Sequence, residues 1–252
     1  MIAVELGGWL AASAAGFAAA GLWRALAWRR ETVARACHEL RAPLTAARLG
    51  LDYGAGGGEL TPARLRAIDL ELGRAALVLD DLEAVRTGRA WSRPAEAIDL
   101  EELVNDSVEA WRPAAAARGV ELRAAWSGCG ATVWGDRLRL AQVTGNLISN
   151  AIEHGGGIVE VRGQGDRMRA RVEVSDAGPG LRATVPELMR GARSGRGRRG
   201  RGLAIATAIA AGYGGRLAAA PSVRGARLVL ELPTIDSPAP PSVASRTPDS
   251  SA

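Results

Sequence analysis

Four short stretches of this chain carry residue types that could do chemistry, and they follow one another in a fixed order. The first is His38-Glu39-Leu40-Arg41-Ala42-Pro43-Leu44-Thr45, where one of only two histidines adjoins a carboxylate. Neutral imidazole is available near pH 7, and a carboxylate at its second nitrogen would orient it and stabilise developing positive charge. Pro43 has no N–H for the carbonyl four positions back and should kink a helix beside His38. An interior proline costs about 3 kcal/mol, which weighs against a merely structural stretch. The second is the pair Asn146 and Asn150, four apart and therefore on one helical face. The third, Asp176-Ala177-Gly178-Pro179-Gly180, closes an alternating run. Its carboxylate can accept a hydrogen bond from a base amino group, and its glycines let backbone approach without a Cβ. The fourth, Gly200-Arg201-Gly202-Leu203, opens a helix whose free N–H groups and dipole can hold phosphate. Singly, these read as a surface histidine, two surface amides and a turn.

The elements that must position them follow from hydrophobic spacing. Val33, Cys37, Leu40, Leu44, Ala47 and Leu51 form a heptad seam, as do Leu65, Ile68, Leu72, Ala75, Leu79 and Leu82. Gly54-Ala55-Gly56-Gly57-Gly58 separates them, and Thr61-Pro62 reads as an N-cap followed by an N1 proline. Two copies of such a hairpin make a four-helix bundle, so a homodimer is expected; a monomeric hairpin packed on the next domain is the alternative. Beyond a linker at 88–97, helices are expected near 100–118, 136–153 and 202–213. Strands are expected near 120–126, 131–134, 157–163, 168–175, 216–220 and 226–232. Asp136 should cap the helix carrying the asparagines. One sheet face covered by helices gives an α/β sandwich, and the chain as a whole an α+β class. From Ser237 onward Pro, Ser, Ala and Asp dominate, as in disordered tails.

At the amino terminus, Leu6 to Trp23 carries no charge. Such a helix would extend about 27 Å, near the hydrocarbon thickness of a bilayer. Trp9, Trp23 and Trp28 flank it, and Arg24, Arg29 and Arg30 follow, which predicts a single-pass cell-membrane anchor with the remainder cytoplasmic. A soluble alanine-rich helix is the alternative, and a cleaved signal is disfavoured by the missing basic start. All 32 basic residues are arginine and the net charge is +5, with Arg193, Arg196, Arg198, Arg199 and Arg201 clustered. No recognition helix or aromatic platform accompanies that run, so a phosphate ligand explains it better than nucleic acid. Cys37 and Cys129 lack metal-ligand spacing.

The four stretches, in this order, resemble those of two-component sensor histidine kinases. The resemblance covers roughly 31–233 and implies a membrane anchor at 1–30 and a dimerisation and phosphotransfer hairpin at 31–87. After the linker at 88–97 it implies an ATP-binding catalytic domain at 98–233, with a tail at 234–252. It implies that His38 attacks the γ-phosphate of ATP beside Glu39 and passes the phosphoryl group to a response regulator receiver domain. Asn146 would match a position taken by Asn or an acidic base, Asn150 would ligate Mg²⁺, and His154 would contact the nucleotide. Asp176, Gly178 and Gly180 would meet adenine. A lid over 188–202, with Arg199, Gly200, Gly202 and Leu203, would meet the phosphates. Two departures stand out: Ala42 replaces the Thr or Asn that positions water for regulator dephosphorylation, and Glu153 replaces a basic residue. No Walker-type loop exists. An ATP-binding regulator, or a phosphotransfer scaffold without kinase turnover, is the alternative reading.

Overall fold

The computed structural model describes residues 23, 36–37, 39–54, 60–87, 94–181, 184–187 and 201–236. The expected membrane span, apart from Trp23, lies outside them, as do His38, Arg199, Gly200 and the tail beyond residue 236. No helix among the described residues is long and apolar enough to cross a membrane.

Helix α1 (39–54) and helix α2 (Pro62–Thr87) form the expected hairpin. The Thr61 hydroxyl accepts from the Arg64 amide at 3.3 Å, as an N-cap should. Small residues let the two helices approach: a Cβ at Gly50 would stand 3.1 Å from Ile68. The seams divide unexpectedly. Ala47, Ile68 and Ala75 are buried within the chain, whereas Leu44, Leu51, Leu65, Leu72 and Leu79 remain 47–54% exposed. The leucines thus make an apolar stripe along both helices that the other described residues leave half exposed.

After the hairpin come β1 (Glu96–Asp99), α3 (Leu100–Ala116), β2 (Glu121–Gly128), β3 (Thr132–Gly135) and α4 (Arg137–His154). Then follow β4 (Ile158–Gly165), β5 (Arg169–Asp176), α5 (Arg201–Gly212), β6 (Arg216–Ala219) and β7 (Arg227–Pro233). Strands β2-β4-β5-β7-β6 form one sheet, parallel only at β2–β4, and β1 pairs with β3 in a separate two-stranded ribbon. β1 occupies the end of the stretch expected as linker, and only its Ile98 is buried.

Alternation decides which sheet face is covered. Val159, Val161, Val172, Val174, Leu228 and Leu230 point into the core with Leu140, Leu147 and Ile148 of α4. The opposite face carries arginine–glutamate pairs. Glu173 meets Arg171 at 3.0 Å and Arg227 at 2.8 Å, and Arg216 donates to Glu231 at 2.6 Å, holding that carboxyl below its ordinary range. Between α3 and α4 the buried hydroxyls of Ser107 and Thr144 bond each other at 2.8 Å, so neither is left unsatisfied in the core. Past β7, Ile235 N–H donates to the Thr132 carbonyl at 2.9 Å, which ties the first residues of the expected tail to β3.

Asp136 fixes where α4 begins: its carboxylate accepts from Leu138 N at 2.8 Å and Arg139 N at 3.2 Å. Its own N–H donates to the Tyr213 hydroxyl at 3.1 Å, which joins the start of α4 to the residue following α5. Asp136→Ala should cost about 1–2 kcal/mol, read as a lower denaturant midpoint with an unchanged slope.

Candidate functional site

The carboxyl-terminal half of α4 presents three consecutive kinds of wall. Leu147 and Ala151 turn one apolar face, Asn150 and His154 a polar one, and Glu153 a carboxylate. All five line a cavity of about 290 Å³ closed by Val174, Asp176, Pro179, Gly180, Leu181, Leu203, Ala226 and Leu228. Five expected site residues therefore meet there: Asn150, His154, Asp176, Gly180 and Leu203. Their elements are a helix end (α4), a strand end (β5), the turn after it and the start of α5.

Asp176 is the polar centre. Its Oδ1 accepts from Gly178 N at 2.9 Å and Ala226 N at 3.2 Å, so two backbone donors fix the carboxylate plane. Oδ2 makes no hydrogen bond with the described residues, leaving an acceptor for a ligand. Three glycines permit this placement. A Cβ at Gly155 would stand 2.3 Å from Asp176 Cβ, and one at Gly178 would stand 2.5 Å from the Gly155 carbonyl. Gly225, at φ +75°, would put a Cβ 1.7 Å from the Asp176 carbonyl oxygen. Only glycine fits such approaches.

Asn146 and Asn150 share a face of α4 but have different surroundings. The Asn146 amide donates to the Gly202 carbonyl at 3.3 Å, joining α4 to the first turn of α5 beside the cavity rather than in its lining. The Asn150 side chain has no hydrogen-bond partner among the described residues. An amide oxygen is a hard ligand, and Mg²⁺ characteristically takes one or two protein oxygens plus substrate phosphates. Among the described residues no group of three His, Cys, Asp or Glu that could hold a metal ion is found. Gly178 and Gly202 are not among the lining residues: Gly178 packs closely on the Gly155 backbone, whereas a Cβ at Gly202 would meet only the Asn146 side chain at 3.5 Å. His38, Arg199 and Gly200 lie outside the described residues, and Glu39 is a half-buried residue of α1.

Sequence reasoning missed Leu147, Val174, Leu181, Ala226 and Leu228 as cavity walls and Gly155 and Gly225 as its hinges. Registry places the walls: Val174 pairs with Leu228, and Asp176 N–H donates to the Ala226 carbonyl at 3.0 Å. The doublet Arg224-Gly225 was the available signal for a turn here. Cys37 and Cys129 are both free and exposed.

A mixed sheet and one helical layer thus frame a cavity of about 290 Å³ built around a fixed carboxylate. Residues 135–236 match the family described as histidine kinase-, DNA gyrase B- and HSP90-like ATPases. The chain is 31% identical over 220 residues to the signal transduction histidine-protein kinase BaeS of Escherichia coli, covering 81% of this chain and 47% of that one. It is 31% identical over 226 residues to the alginate biosynthesis sensor protein KinB of Pseudomonas aeruginosa, covering 81% of this chain and 37% of that one. Over four-fifths of its length the chain is thus similar to two-component sensor histidine kinases, and it spans about half the length, or less, of these curated relatives. Full-length ShkA, solved in complex with AMPPNP, superposes at TM-score 0.52 with 26% identity, over 81% of this chain and 46% of that one. The catalytic domain of the histidine kinase ThkA shares the fold at TM-score 0.50 and 23% identity, over 56% of this chain and 97% of that one.

Gly225→Ala forces a side chain into the left-handed region and onto the Asp176 backbone. Strain of this kind is worth about 1–3 kcal/mol, so ATP-analogue affinity measured by calorimetry should fall roughly tenfold or more. The Asp136 cap is remote from that turn and should hold α4 unchanged by circular dichroism.

Proposed function

We propose that this chain transfers the γ-phosphoryl group of ATP to its own His38 and then to an aspartate of a response regulator receiver domain. The convergence of Asn150, His154, Asp176, Gly180 and Leu203 on one cavity carries this reading. Adenine would lie between the apolar walls of Leu147, Val174 and Leu228, its amino group donating to Asp176 Oδ2. The two backbone N–H groups on Oδ1 keep that oxygen aimed without cost at the moment of binding. His154 would stack at the rim. Phosphates would run toward Gly202 and the arginines at 193–201, with Asn150 holding Mg²⁺, which supplies charge neutralisation when bound.

In the first transfer an imidazole nitrogen of His38 forms a bond to the γ-phosphorus, and the bond to the β,γ-bridging oxygen breaks, releasing ADP. Glu39 would orient the ring and balance the positive charge it gains. In the second, a receiver carboxylate oxygen takes the phosphorus and the N–P bond breaks, restoring neutral histidine. Positioning and electrostatics do nearly all the work in such transfers.

The exposed leucine stripe supports a homodimer through the hairpin. Two chains would bury Leu44, Leu51, Leu65, Leu72 and Leu79 against each other in a four-helix bundle. The uncharged stretch from Leu6 to Trp23 supports a membrane anchor with the catalytic part on the cytoplasmic side. Ala42 packs against the core and has no side-chain hydrogen-bonding group, which supports weak dephosphorylation of the regulator.

Radiolabelled γ-phosphate should label the wild-type chain and leave His38→Ala and Asp176→Asn blank; label retained on His38→Ala defeats the kinase reading. Leu65→Glu combined with Leu72→Glu should sediment as a monomer. Ala42→Thr should accelerate loss of label from the phosphorylated regulator.

A further inference from the structure

The cavity holds a second carboxylate, for which adenine has no use. Glu153 lines it, stands exposed near the end of α4, and makes no hydrogen bond or ion pair with the described residues. Its angle on the helix separates it from Asp176. At about 100° per residue, position 153 lies about 20° from position 146 and about 160° from position 155. Asn146 bonds the Gly202 carbonyl at the start of α5, whereas Gly155 packs on Asp176. The two carboxylates therefore stand on opposite flanks of α4, Asp176 toward the turn after β5 and Glu153 toward α5.

Asn150 lies between these flanks, one turn before Glu153. Residues three apart on a helix are neighbours, with Cβ atoms about 5–6 Å apart. The Asn150 side chain also lacks a hydrogen-bond partner among the described residues, so two hard oxygen donors adjoin on one wall of the cavity. Mg²⁺ takes one or two such oxygens from protein, commonly carboxylates, and fills its other positions with phosphate oxygens and water. The amide is neutral; Glu153 supplies the charge that the amide lacks. Without a cation the same carboxylate faces a polyphosphate of like charge, and no arginine among the described lining residues offsets it.

We propose that Glu153 is a second protein ligand of a divalent cation beside Asn150, and that it makes this chain accept nucleotide only as the metal complex. The proposal rests on the ATP reading and deepens it. Bridged by the cation, Glu153 and the phosphates share one positive charge; without it they repel, and adenine contacts alone must hold the nucleotide. Glu153 thus selects the cation-loaded nucleotide, while Asp176 selects the base.

Binding of methylanthraniloyl-ATP to the full chain, followed by fluorescence in Mg²⁺ and again in excess EDTA, tests it. The wild type should bind roughly a hundredfold more weakly in EDTA. Glu153→Gln, at an exposed position that bonds nothing, should fold as the wild type does. It should lose about tenfold in affinity in Mg²⁺ and gain affinity in EDTA, so that the two conditions converge. Tighter binding of Glu153→Gln in Mg²⁺ overturns the proposal, because a carboxylate that only repels phosphate gives that result. Unchanged binding overturns it too, because a carboxylate turned to solvent gives that one. Free Mn²⁺ measured by electron paramagnetic resonance at saturating ADP supplies a second readout. Cation affinity should fall about tenfold in Glu153→Gln, and an unchanged affinity counts against the proposal. Wild-type binding that is equal in Mg²⁺ and EDTA overturns the role of Glu153 and leaves the ATP reading standing. Failure of the wild type to bind the analogue in Mg²⁺ overturns both.

Discussion

A carboxylate can select a hydrogen-bond donor only if its orientation is fixed before the ligand arrives. In this chain that requirement is met by three pieces of backbone that approach Asp176 more closely than any side chain would allow. The end of α4 at Gly155, the turn at Gly178 and the loop at Gly225 all lie where a Cβ would overlap Asp176 or its neighbours. Two of these approaches end in hydrogen bonds to Oδ1. The cavity is what remains once they are made. Its apolar walls come from α4, β5, β7 and α5 because those elements are drawn together at this point.

Helix α4 then serves three surroundings through its angular spacing of about 100° per residue. Leu140, Val143, Leu147 and Ile148 fill the core against the sheet, Asn150 and His154 face the cavity, and Leu138, Arg139 and Gly145 face the hairpin. A helix committed in this way has little surface left for solvent, which explains why Gln142 and Thr144 are buried and why Thr144 shares its hydrogen bond with Ser107. It also explains why a glycine is tolerated mid-helix at 145, where it costs about 1 kcal/mol relative to alanine. The guanidinium of Arg74 occupies the space a side chain would have taken.

Much of this was readable before the coordinates. The period of 3.6 in 100–118 and 136–153 and the alternation in 157–163 and 168–175 gave α3, α4, β4 and β5 nearly to the residue. Asp136 was readable as a cap because a lone acid ahead of an amphipathic run has few other uses. β1 was not: it has four residues, one of them buried, and exists through pairing with β3 across more than thirty positions of chain. Val174 and Leu228 were read as strand residues but not as cavity walls, since only the antiparallel register sets them side by side. The hairpin seams were readable as apolar, but not how each divides between two surroundings. Ala47, Ile68 and Ala75 close the hairpin, while the leucines seven apart face outward. Periodicity alone cannot separate an intrachain from an interchain seam.

Charge balance within the cavity constrains how a triphosphate can be held. Among the described residues the lining contains two carboxylates, Asp176 and Glu153, one imidazole and no arginine. A basic residue where Glu153 stands would have neutralised part of a phosphate group; the carboxylate repels it instead. On the proposed reading the opposing charge would come from beyond these residues: a metal on Asn150, the N–H groups at the start of α5, and the arginines that the sequence clusters at 193–201. Guanidinium groups bind phosphate bidentately and stay charged at any physiological pH. A carboxylate at the cavity wall and cations beyond it would, on the proposed reading, direct the chain of phosphates toward α5 and away from Asp176. The γ-phosphoryl group would then be the most exposed part of the nucleotide, where the proposed acceptor of another domain could reach it.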